Sequence, residues 1–142
     1  MQGMEIFTVG TSTRSIDEFI EILRAYDIGK VLDVRRFPTS KFEHFKKENL
    51  KDALNKERIQ YFHIEELGGY RGGYKEYMKT EEFKKGLKTL INLAKDSRVA
   101  IMCAELLFFR CHRRYISDKL TELGIEVTHI IDAKRSYPHR IR

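Results

Sequence analysis

Two cysteines carry the sharpest chemical signal in this chain. Cys103 closes an apolar run, Val99 to Cys103, and Cys111 stands just before His112 and Arg113. A thiol acts as a nucleophile only as thiolate, a form that a helix N-terminus or a neighbouring arginine favours. Cys103 faces the start of the next predicted helix. It is therefore the candidate reactive centre, with Glu105 or His112 as its proton-handling partner. Core packing is the strong alternative for the same residue, because cysteine is among the most buried side chains. Cys111, in the first turn of that helix, has the same two readings.

Other residues could serve such a centre. His112 precedes Ile116, Leu120 and Leu123 on one helical face, a position for a catalytic ring or for one tied to a backbone carbonyl. An anion beside Arg113 would gain both the helix dipole and a forked donor. Asp33 either forms a buried ion pair with one of Arg35 or Arg36, or serves as orienter or general base beside Arg35 as an anion clamp. Ser12, His63 and His129 end other apolar runs and join Arg35 and Arg113 as candidate ligand-binding residues. A metal could draw on Cys103, Cys111 and His112, with Glu105 or His129 as a fourth ligand. The spacing C-x7-C-H lacks the short hairpins of structural zinc sites, and no metal is assigned.

The elements that position these groups alternate. Ile6–Val9 reads as a strand, and Ser15 with Glu18 forms a capping box for a helix carrying Ile16, Phe19, Ile20, Leu23 and Tyr26 on one face. Further strands are expected at Lys30–Val34, Gln60–Ile64, Val99–Cys103 and Glu126–Ile131. Helices are expected near Lys47–Lys56, after Thr80, and from Cys111 to Leu123, the last closed by Gly124. Strands separated by helices imply parallel pairing and a three-layer, Rossmann-like α/β domain of about five strands. Ligands in such sheets collect at the carboxyl ends of the strands, near a topological switch point. The polar residues above all end strands, which predicts one shared cleft.

Length and charge set the outer bounds. The 142 residues suit a single α/β domain, residues 1–142, with a basic and irregular tail at 132–142. No apolar run approaches the roughly 20 residues of a membrane span, and the start lacks the pattern of a signal peptide, so a cytoplasmic protein with reduced thiols is expected. Its Lys/Glu richness also suits a thermophile. The net charge of +6 includes two basic clusters, Arg110–Arg114 and Lys134–Arg142. These fit either a solvated surface or a polyanion site for nucleic acid. Gly68, Gly69, Gly72 and Gly73 form a loop unlike a P-loop or a dinucleotide fingerprint, so no cofactor is named. Its tyrosines, Tyr70, Tyr74 and Tyr77, interleave with Arg71 and Lys75. They could stack on bases, or cover the sheet edge.

Taken in order, seven motifs resemble the domain-of-unknown-function 488 family from about Phe7 to Ile131. They are Thr8-Val9-Gly10-Thr11-Ser12, Asp33-Val34-Arg35-Arg36-Phe37-Pro38, Tyr61-Phe62-His63, Leu67-Gly68-Gly69, Val99 through Cys103-Ala104-Glu105, Cys111-His112-Arg113 and Val127-Thr128-His129. The resemblance implies a small Rossmann-like domain found mainly in bacteria and archaea, and brings no established reaction. Where family members often read Gly-His-Ser in the first motif, Thr11 replaces the histidine here. A looser similarity links Asp33-Val34-Arg35 and Cys103 to rhodanese-like domains, although the rhodanese cysteine loop does not follow Ala104-Glu105. Two functions are carried forward. One is an enzyme acting on an anionic small molecule or nucleotide at the strand ends. The other is a nucleotide- or nucleic-acid-binding module without catalysis. The sequence leaves the oligomeric state open.

Overall fold

The computed structural model describes residues 4–68 and 73–141, and of Arg110 only the backbone. Six strands form one sheet in the order β3-β2-β4-β1-β5-β6. They are β1 (Glu5–Gly10), β2 (Lys30–Asp33), β3 (Gln60–His63), β4 (Val99–Cys103), β5 (Glu126–Ile130) and β6 (Ser136–Pro138). The first five run parallel; β6 is antiparallel to β5. The helices are α1 (Ile16–Ala25), α2 (Lys47–Lys56), α3 (Tyr74–Tyr77), α4 (Glu81–Leu93) and α5 (Arg113–Glu122). No helix among the described residues is long and apolar enough to cross a membrane.

Local sequence explains most of these boundaries. The Ser15 hydroxyl accepts from the Glu18 amide while Glu18 reaches back to the Ser15 amide, which fixes the start of α1. Thr80 caps α4 by accepting from the Phe83 amide. Gly124 follows α5 with a φ of 84°, the left-handed conformation that glycine adopts without cost.

Alternation along the strands divides the core into two faces. Phe7, Val9, Val31, Ala100 and Met102 pack with Phe19, Leu23, Leu50 and Leu54 of α1 and α2. Ile6, Leu32, Val99, Ile101 and Cys103 pack with Phe83, Leu90, Ile116 and Leu120 of α4 and α5. Side chains one residue apart on a strand therefore enter different layers. The connection from β1 runs to one side through α1, and that from β4 to the other through α5. The switch point of the sheet thus lies between the carboxyl ends of β1 and β4, where Gly10 pairs with Cys103. Gly10 is required there: a β-carbon would lie 1.9 Å from the Glu105 carbonyl oxygen.

Two expectations need correction, and the alternative left open at the glycine-rich loop is narrowed. The tail is not irregular, because β6 adds a sixth strand. The Asp132 carboxylate accepts from the amides of Lys134 and Arg135, which closes a tight turn after β5. Helix α5 begins at Arg113 rather than Cys111, whose backbone is extended (φ −142°, ψ 176°). The glycine-rich loop ends in a helical turn, α3. Tyr74 and Tyr77 are buried there against Phe83, with their hydroxyls on the carbonyls of Leu67 and Glu66. Tyr70 and Arg71 of the same loop lie outside the described residues.

Candidate functional site: a thiol pair and a buried arginine

The strand ends do converge at one edge of the sheet: Asp33 pairs with His63 and Met102, Gly10 with Cys103, and Thr8 with His129. They do not form one cluster. Asp33 points to the α1/α2 layer and Cys103 to the α4/α5 layer, so two separate networks occupy opposite faces.

On the first face Asp33, fully buried, takes the Nε and Nη2 of Arg35 at 2.9 and 2.7 Å and the Arg35 amide at 3.0 Å. The Tyr61 hydroxyl donates to the same carboxylate. Arg35 spends its remaining Nη1 on the carbonyls of Thr39 and Phe45. Burial opposes the charge on Arg35, but the bond to Asp33 and its negative charge raise the guanidinium above its ordinary range. Tyr61 is pushed up in turn, first by burial and then by Asp33. His63, on the same side, places Nε2 2.6 Å from the Arg35 carbonyl. Every strong partner here is already satisfied within the protein.

The second face is built around Arg113, which is 1% exposed. Its backbone amide and its Nε both point at the Cys111 sulfur, each at 3.3 Å. Its Nη1 donates to the Thr8 hydroxyl at 3.1 Å, and its Nη2 to the carbonyls of Glu105 and Leu106. Among the described residues no carboxylate lies within ion-pair distance of this guanidinium. A buried arginine stays charged, and burying a charge without a counter-ion costs several kcal/mol per ion. The Cys111 sulfur is the group that can supply the missing charge. Cys103 helps it: the two sulfurs are 3.0 Å apart and neither is in a disulfide. The hydrogen bond from Cys103 and the Arg113 charge lower Cys111 well below a free thiol, against the opposing effect of burial. The same bond, together with burial, raises Cys103, so Cys103 keeps the proton and donates it.

A relay extends from the other side of Thr8. Thr8 Oγ1 is 2.6 Å from His129 Nδ1, His129 Nε2 is 2.8 Å from His139 Nδ1, and His139 Nε2 is 2.6 Å from Asp118 Oδ1. With both rings neutral the donors run one way without conflict, from Arg113 through Thr8 to His129, and from His129 through His139 to the Asp118 carboxylate. Burial, His139 and Arg113 lower His129 to about 3, which keeps its ring neutral. Phe108 lies flat on His129 with centroids 3.6 Å apart and planes 3° from parallel.

A family model described as "Domain of unknown function DUF488" matches residues 15–120. The chain belongs to this family. The matched stretch of the DUF488 domain includes both cysteines, Arg113 and the Asp33–Arg35 pair, whereas Thr8, Ser12, His129 and His139 lie outside it. No curated protein matches the chain.

The remaining sequence candidates sit at the margins of the DUF488 site. His112 places Nε2 2.6 Å from the Val34 carbonyl; since a carbonyl only accepts, Nε2 carries a proton there. Glu105 contributes its backbone carbonyl, and its side chain is exposed. Ser12 is half-buried at a φ of 48°, its amide on the Ala104 carbonyl, and its hydroxyl has no protein partner among the described residues. No three His, Cys, Asp or Glu side chains among the described residues converge as a metal cluster would require. Sequence reading missed Thr8 as a bridge, and His139 and Asp118 altogether. It also missed Arg14, which binds the carbonyls of Gly10 and Ile131 and ties the ends of β1 and β5 together. The Asp132–Arg135 turn was the available signal for a hairpin, which would have brought His139 back beside β5.

Proposed function

We propose that this DUF488 protein is a thiol-dependent enzyme acting on a small anionic molecule at the switch point, with Cys111 as the nucleophile. The observation that carries this reading is the buried Arg113, which among the described residues meets no carboxylate and is bonded to the Cys111 sulfur. The first turn of α5 carries Arg113 and Arg114 and no acid, so its N-terminal dipole and both cations favour a negative group at the same place. The Cys111 sulfur uses a lone pair to form the bond to the substrate's electrophilic atom. The leaving group departs with its electron pair and takes the proton held by Cys103. His112, next to Cys111 in the chain and held through Nε2 on the Val34 carbonyl, is the candidate acceptor, through Nδ1 of its neutral form, for a proton from an incoming water or thiol. The reactive role thus falls on Cys111, which is half-buried, rather than on Cys103, which is 2% exposed.

Alkylation by iodoacetamide, followed across pH by peptide mass spectrometry, tests the assignment. Cys111 is expected to react quickly at neutral pH with a midpoint below the free-thiol value of about 8.5, and Cys103 slowly. Replacing Cys103→Ala removes a hydrogen bond to a charged sulfur and should raise that midpoint by about one pH unit. Labelling of Cys103 ahead of Cys111, or of neither before unfolding, defeats the proposal.

A further inference from the structure

The two basic clusters of the sequence are far apart in the chain, yet the fold brings one arginine from each to a single cavity. Arg114 comes from the first turn of α5 and Arg140 from the segment after β6. Together with Phe108, Phe109, Asp118 and His139 they line a space of about 440 Å³, within the range of small-molecule sites. Some long cationic side chains on the surface are answered by carboxylates, as Lys46 is by Glu43, Lys79 by Glu76 and Arg135 by Asp132. Arg114 and Arg140 are exposed, and neither has a carboxylate partner among the described residues. Two guanidinium groups and the one Asp118 carboxylate line the cavity, an excess of positive charge that an anion between the two arginines would offset.

The rest of the lining narrows the class of anion. Phe108 is held against His129, but Phe109 is 51% exposed at the rim, a large apolar ring left in water beside two cations. A flat aromatic ligand stacked on it would remove that surface from solvent. Asp118 uses Oδ1 to fix His139, which leaves Oδ2 as an acceptor for a ligand hydroxyl. An anionic group, a flat ring and a hydroxyl-bearing linker within one small molecule describe a mononucleotide. We propose that this cavity binds a nucleoside monophosphate, with the phosphate between Arg114 and Arg140, the base on Phe109 and a sugar hydroxyl on Asp118. The inference stands on the cavity and uses neither cysteine, so it and the thiolate reading fail separately.

Calorimetric titration of the full chain with AMP, adenosine and inorganic phosphate separates the components. Saturable one-to-one binding of AMP, at least about ten-fold tighter than either fragment, is expected. Arg114→Gln and Arg140→Gln should each weaken AMP about ten-fold. Phe109→Ala should weaken AMP by a similar factor while leaving phosphate unchanged. All three side chains are exposed, so the variants should fold, and Arg135→Gln, outside the cavity, should bind as the parent does. Absence of saturable AMP binding, AMP no tighter than phosphate, or indifference to the three variants overturns the proposal. So does a stronger affinity for single-stranded DNA that rises with strand length and falls steeply between about 50 and 200 mM salt, since that pattern belongs to a surface tracking a polynucleotide backbone.

Discussion

Arg35 and Arg113 are buried to nearly the same degree, at 6% and 1% exposure, on opposite faces of one sheet edge. Arg35 meets a carboxylate that holds it in two-pronged fashion and receives a tyrosine hydroxyl as well. Arg113 meets a sulfur, a threonine hydroxyl and two carbonyls. The first arrangement is closed: the Asp33 carboxylate and the Arg35 guanidinium are bonded to each other, and a ligand would have to displace one of them. The second is open, because its balance depends on a thiol that must lose a proton and on a relay that ends at a half-exposed aspartate. Burial of an arginine at a strand end is thus no guide to chemistry by itself. The identity of its counter-charge is.

The largest effect should come from breaking the closed network. Asp33→Ala leaves Arg35 buried without a counter-ion, and the expected loss is about 3–5 kcal/mol in urea unfolding. If the faces are independent, the iodoacetamide rate at Cys111 in the folded variant stays at the parental value. A changed rate would join the two networks and remove the contrast drawn between them.

A smaller effect should mark the open network. His129 is held at about 3, against an ordinary value near 6.5. Below the unfolded value the unfolded chain takes up a proton that the native ring refuses, so stability falls as pH drops through this window and levels off below about 3. The slope from this one group is up to about 1.4 kcal/mol per pH unit. Urea midpoints of the parent and His129→Asn, compared at neutral pH and near pH 4.5, isolate it from the carboxylates. Equal slopes in the two proteins would place the acid sensitivity elsewhere.

The smallest effect is expected at Glu105. Its carbonyl serves Arg113 but its side chain is exposed, so Glu105→Ala should keep stability within about 0.5 kcal/mol and leave the alkylation midpoint of Cys111 in place. A lowered midpoint would instead show that the carboxylate lies close enough to oppose the thiolate.

The sequence by itself determined the order of elements and the sheet edge at which its candidate residues stand. Capping at Ser15 and Thr80, the glycine after α5 and the alternation of apolar runs with amphipathic helices are local signals, written within a few residues of where they act. They sufficed to predict a Rossmann-like α/β domain and to bring Asp33, His63, Cys103 and His129 to one end of the sheet. Which of these residues meet was decided only by the tertiary structure. Strand side chains alternate between faces with a period of two, so the exact register of β2 and β4 separates Asp33 from Cys103 although both end a strand. The partners that define the open network come from distant stretches: Thr8 meets His129 across 121 residues, and Arg113 meets Thr8 across 105. No local pattern encodes such meetings. His139 came into place because β6 folds back on β5, and the same return brought Arg140 to Arg114. The counter-charge of a buried group depends on what packs against it in three dimensions, and that is why the sequence could name both cysteines but not which one bears the charge.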